Sequence, residues 1–150
     1  MKKLLLTVLG PFFAVIAAVV GFIWWERGAP PGFRPTAVAV DPTTINREHR
    51  GVRITGTAHY EARLKQTADG SDDVWYVYPL MMKGDAVGRT IHVLVRTTTE
   101  PDTFYGLEDR TFEGFARPPG RLVPRKAREQ LEEKGYTFTD DYVLVEEWVD

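Results

Sequence analysis

The chain has 150 residues, 43% of them hydrophobic and 12% aromatic, with 19 basic and 21 acidic side chains and a formal net charge of −2. That near balance argues against a general nucleic-acid binder, which needs an excess of Lys and Arg, and the aromatic content argues against a disordered tail. The absence of Cys excludes disulfides and thiol chemistry.

Lys2 and Lys3 precede an uncharged apolar run from Leu4 to Trp25, which Glu26 and Arg27 close. As a helix, such a run spans roughly 33 Å, slightly more than a bilayer's hydrocarbon core. A cleaved signal peptide would have a shorter apolar region and a small-residue cleavage site directly after it. A buried core helix of this length without a charge is unusual in a small domain. An uncleaved transmembrane signal anchor over residues 1–25 is the expectation, with Lys2, Lys3, Trp24 and Trp25 at the membrane interfaces. The charge asymmetry places the N-terminus in the cytoplasm and the rest of the chain outside it, as a single-pass membrane protein.

Residues 26–46, with Gly28, Pro30, Pro31, Gly32 and Pro35, read as a proline-rich tether. Ala37 to Val40 is a candidate short strand. The β-rich domain then occupies residues 47–150, where Val52, Ile54, Gly56, Ala58, Tyr60, Ala62 and Leu64 alternate with polar residues. Period two over this stretch predicts one long strand. Gly56 on its apolar face predicts a bend, a bulge or the close approach of another backbone.

Val74 to Met82 is a second strand, with Pro79 implying an edge or a break. Thr90 to Thr98 is a third, with Ile91, Val93 and Val95 on one face and His92, Leu94 and Arg96 on the other. Short links make these an antiparallel meander. Arg110 to Arg117 is a fourth strand. Pro124 then opens a short helix over Arg125 to Lys134, which Gly135 closes. Tyr142 to Val149 is the closing strand. The expected fold is mainly β with one short helix: an N-terminal transmembrane helix plus a small antiparallel β-barrel of the oligonucleotide/oligosaccharide-binding (OB) kind. That plan places its helix between strands three and four; a small sheet with one packed helix is the alternative.

The strand sequences Ile54-Thr55-Gly56-Thr57-Ala58, Tyr76-Val77-Tyr78-Pro79-Leu80, Val93-Leu94-Val95 and Phe112-Glu113-Gly114 resemble those of membrane-anchored OB-like assembly factors of the SURF1 type, linked to cytochrome oxidase assembly. The resemblance covers about residues 50–117 and carries no functional residue across. It implies a membrane or envelope protein as partner. The chain departs from that pattern in having no second apolar run near its C-terminus and no Asn-Arg-Gly-Trp-like element after the third strand.

Local chemistry is sparse. His59 and His92 fall on the less apolar faces of two strands and would suit a metal or haem only with further ligands, since such sites take three or four. The plainer reading is exposed strand histidines, and His49 reads as surface. Ser71 is the lone serine, and the paired acids, Glu146-Glu147 among them, read as solvated turns. No phosphate-binding glycine loop is present, and no cofactor is expected. Arg117, Arg121, Arg125, Lys126 and Arg128 run without an intervening acid, a candidate patch for anionic lipid or an acidic partner, set against a solvated loop and helix start. Trp75, Tyr76, Tyr78, Phe112, Phe115 and Trp148 read as core, with one strand face as a possible platform. The expected function is a membrane-anchored protein-binding or assembly module; the alternative is an enzyme or a metal or haem carrier in the outward domain.

Overall fold

A computed structural model describes residues 14–20, 34–48, 50–67, 70–102 and 104–149, and divides the chain into two units, Met1–Arg34 and Pro35–Asp150. In the first unit residues 14–20 are helical and exposed. Among the described residues no helix is long and apolar enough to cross a membrane. The expected transmembrane helix is therefore corrected: the described fold does not contain one. Lys2, Lys3, Trp24 and Trp25 lie outside the described residues, as does His49.

The second unit is a β-barrel. Its strands are β1 (Val38–Val40), β2 (Gly51–His59), β3 (Leu64–Thr67), β4 (Val74–Met81), β5 (Thr90–Thr97), β6 (Leu107–Arg117) and β7 (Thr137–Glu147). The sheet runs β1-β2-β6-β7-β5-β4-β3, and a further pairing of β2 with β4 closes β2, β6, β7, β5 and β4 into a five-stranded barrel. The helix Arg125–Glu133 lies between β6 and β7, so it precedes the last barrel strand and not the fourth. The barrel is not purely antiparallel, because β5 pairs with β7 in parallel; outside the closed barrel, β1 adds to β2 in parallel. Residues 35–46, expected as tether, belong to this unit, and Val40 and Ile45 pack against its core.

The long first strand is interrupted. A 3-10 turn at Tyr60–Ala62 separates β2 from β3, and the turn moves Leu64 out of the barrel interior into the outer cluster. Gly56 permits the close approach expected of it: a Cβ there would sit 2.4 Å from the Met81 carbonyl oxygen. Without that clearance β2 would not reach β4 while also pairing with β6. Pro79 is neither an edge residue nor a break. It falls between the β3–β4 pairing, which ends at Val77, and the β2–β4 pairing, which starts at Leu80. A missing N–H there interrupts no ladder on that side.

Two cores follow from strand alternation. The interior holds Ile54, Tyr78, Leu80, Val93, Val95, Phe112, Val143 and Val145 among others. The outer face of β4, β5 and β7 is covered by the helix, whose Ala127 and Leu131 are its buried residues. Burying one leucine side chain contributes about 2 kcal/mol, so this narrow stripe holds the helix only together with its flanks Val123 and Tyr136. A register irregularity between Ile91 and Val93 puts Ile91 in the outer cluster, whereas simple alternation places it with Val93.

Candidate functional site

A groove of about 490 Å³ lies beside the helix start. One wall is β3, the other the segment from Arg121 through Lys126 to Gln130, and Trp75 of β4 and Arg96 of β5 line it as well. The local sequence explains the second wall. Pro118-Pro119-Gly120 ends β6, and Gly120 takes a φ of +47° to turn the chain into a 3-10 turn at Gly120–Leu122. Pro124 then starts the helix. The Gln66 Nε2 donates to the Leu122 carbonyl at 3.3 Å and ties the two walls together.

The groove is one-signed. Lys65, Arg96, Arg121 and Lys126 line it, and among the described residues no acid does. The first turn of the helix carries no acid and no side-chain cap. The positive end of its dipole therefore adds to the basic character.

Arg96 is nine-tenths buried. Its guanidinium stacks over the Trp75 ring, 3.8 Å from the centroid, and pairs with Glu146, which also holds Arg117 at 2.6 Å. Two buried guanidiniums thus share one carboxylate. Burial pulls the Arg96 guanidinium below its ordinary value, while Glu146 opposes that shift. Its Nε has no hydrogen-bond partner among the described residues. A buried donor left unmade costs about 1–3 kcal/mol.

The basic run read from the sequence does not form one patch. Arg117 is buried in the Glu146 cluster. Arg121 and Lys126 are exposed in the groove. Arg125 pairs with Glu129 at 2.7 Å, and Arg128 lies 4.0 Å from Glu132 and over the Phe138 ring. The last two face a separate, mixed-charge depression of about 650 Å³ that Arg47, Glu129, Glu132 and Asp140 also line. The linear run contains no acid, but a helix brings in the acids one turn later. Sequence reasoning missed Lys65, Gln66 and Arg96 as groove members. The available signal was a charged Arg96 sharing an alternation face with Leu94.

The histidines are not brought together as a site. His59 is fully buried, contrary to the exposed position expected. Its Nε2 donates to the Asp85 carbonyl at 2.8 Å, so Nδ1 accepts from the Tyr136 hydroxyl at 2.9 Å. Both ring nitrogens are thereby used in joining β2 to the 82–89 loop and to the start of β7. His92 is half-buried and lines a different depression of about 220 Å³. No group of three or more His, Asp or Glu side chains suited to a metal occurs among the described residues.

A second, partly buried charged cluster forms around Arg110, which donates to the Tyr78 hydroxyl at 2.9 Å and pairs with Glu147. The Tyr60 hydroxyl donates to Glu108 at 2.5 Å, and its ring meets Tyr78 edge-on with centroids 5.0 Å apart. Burial, with the Glu108 bond second, pushes Tyr60 up to about 12. Burial raises Tyr78 further still. Burial alone would lower Arg110, but Tyr78 and Glu147 outweigh it and hold the guanidinium above its ordinary value. This cluster lines neither groove.

No family model, curated protein or solved structure matches the chain.

Proposed function

We propose that the chain is a protein-binding or assembly module of OB-like character, whose barrel docks an acidic segment of a protein partner in the groove between β3 and the helix start. The observation that carries this reading is the one-signed lining of Lys65, Arg96, Arg121 and Lys126 around the half-buried Trp75. Charged groups of one sign in a concave surface steer and select a partner of the opposite sign. The aromatic face adds an anchor of the kind that dominates interface energetics. The similarity to SURF1-type assembly factors supports an envelope partner. The uncharged Leu4–Trp25 sequence supports membrane placement, and the Lys2 and Lys3 asymmetry supports a barrel outside the cytoplasm.

Titration of the full-length protein with a fluorescent glutamate-rich peptide tests the docking reading. The Arg121→Glu, Lys126→Glu double variant is expected to lose about tenfold or more in affinity, with its thermal transition unmoved. Equal affinity in wild type and variant would remove the groove from the account. A reporter active only outside the cytoplasm, fused after residue 150, tests placement; an inactive fusion in an expressed protein would reverse it.

A further inference from the structure

The docking mode follows from which part of β3 faces the groove. Leu64, Lys65, Gln66 and Thr67 all line it, although their side chains alternate between faces. A depression that touches both parities runs along the edge of a strand. That edge is open: β3 is the last strand of the sheet order, paired only with β4, and no strand covers its other side among the described residues. Alternate residues of an edge strand turn their N–H and C=O outward, a ready template for another extended chain. The molecule already uses this geometry at its opposite edge, where Val38–Val40 adds in parallel to β2 as a three-residue strand.

We infer that the acidic partner segment enters the groove in extended form and adds as a β-strand to the free edge of Leu64–Thr67, with its acids at alternate positions directed at Arg121 and Lys126. The inference rests on the docking reading above and specifies its geometry. β3 offers four residues, an edge of about 13 Å. Leu64 is buried in the outer cluster and Gln66 bonds to Leu122, so this parity faces the helix side. An added strand shares the pleat, and every second side chain of it faces the same way. Acids at those positions meet Lys126, Arg121 and the uncapped helix start. Main-chain bonds then supply affinity and the alternate side chains supply selectivity, as in strand-addition modules generally. The short edge and its flanking cations also discourage unspecific pairing with neutral strands.

The test uses full-length protein in neutral phosphatidylcholine nanodiscs and a labelled peptide alternating glutamate with threonine. Two derivatives carry N-methyl groups on one or the other set of alternate amides, which removes the donors while leaving every charge. Only one set of amides in an added strand faces β3. The expected result is that the parent binds, one methylated form loses about tenfold or more, and the other keeps its affinity. Equal affinity of all three forms, or equal loss in both methylated ones, overturns strand addition. In that event, a parent that still binds and still responds to Arg121→Glu, Lys126→Glu leaves acidic docking standing. A parent that does not bind overturns both. Binding to phosphatidylglycerol vesicles with none to the peptide assigns the groove to a lipid surface and overturns the proposal.

Discussion

Glu146 and Glu147 are neighbours in β7, yet they serve two clusters of different character. Alternation sends Glu146 to the outer face, where it holds Arg96 and Arg117, and Glu147 to the inner face, where it holds Arg110. The Arg110 cluster is the more self-contained, since Tyr78 and Glu147 take its donors and, among the described residues, one Glu147 oxygen is left unpartnered. The Arg96 cluster opens onto a groove, two guanidiniums share one carboxylate, and an Arg96 donor is unspent. The difference teaches that a buried ion pair is not by itself a functional signal. What distinguishes the outer cluster is that two guanidiniums share one carboxylate beside a groove.

The comparison breaks most visibly at the two glutamates. Glu146→Gln leaves two buried guanidiniums without a counter-charge and is expected to cost about 3–5 kcal/mol in chemical denaturation. Glu147→Gln is expected to cost less, about 1–3 kcal/mol, because Arg110 is partly exposed and keeps its bond to Tyr78. Equal losses would erase the distinction. Gly114→Ala comes next: its Cβ would sit 2.4 Å from the Glu146 carbonyl oxygen, pressing β6 away from β7, for an expected loss of about 1–3 kcal/mol.

The inner cluster should reveal itself in alkali. Tyr60 and Tyr78 are raised in the folded protein, so the folded state keeps protons that the unfolded chain releases from about pH 10. Stability is therefore full below that point and falls as pH rises toward about 12, where Tyr60 ionises. The Tyr60→Phe, Tyr78→Phe double variant should flatten this slope in unfolding curves taken across that range; an unchanged slope would place the titration elsewhere. The smallest stability effect belongs to the groove. Arg121→Glu and Lys126→Glu touch exposed side chains and should leave unfolding within about 0.5 kcal/mol of wild type. A larger loss would mean the wall of the groove is structural.

Much of the β-rich fold was legible in the chain, because period-two patterning depends only on which residues tolerate water. The alternation in Val52, Ile54 and Ala58, the density of Val74–Met81, and Pro124 and Gly135 around the helix each placed an element near where it lies. Gly56 announced a close backbone without saying whose. The site was legible in part: Arg121 and Lys126 were marked, but together with Arg117, Arg125 and Arg128, which the fold sends elsewhere. The apolar N-terminal run predicted a transmembrane helix that the described residues do not contain.

What the sequence determined by itself was local: strand periodicity, helix limits, charge balance and the lack of any thiol. Tertiary structure alone decided barrel closure through β2 and β4, the parallel pairing of β5 with β7, and the burial of His59 and of Glu146, an acid that looked solvated. It also decided that Trp75, Arg96 and the edge of β3 meet Arg121 and Lys126 across one groove. The reason is that burial and charge pairing depend on which segments meet in space. Residues 66, 96 and 121 lie far apart along the chain, and no local pattern records that the closed barrel brings them together.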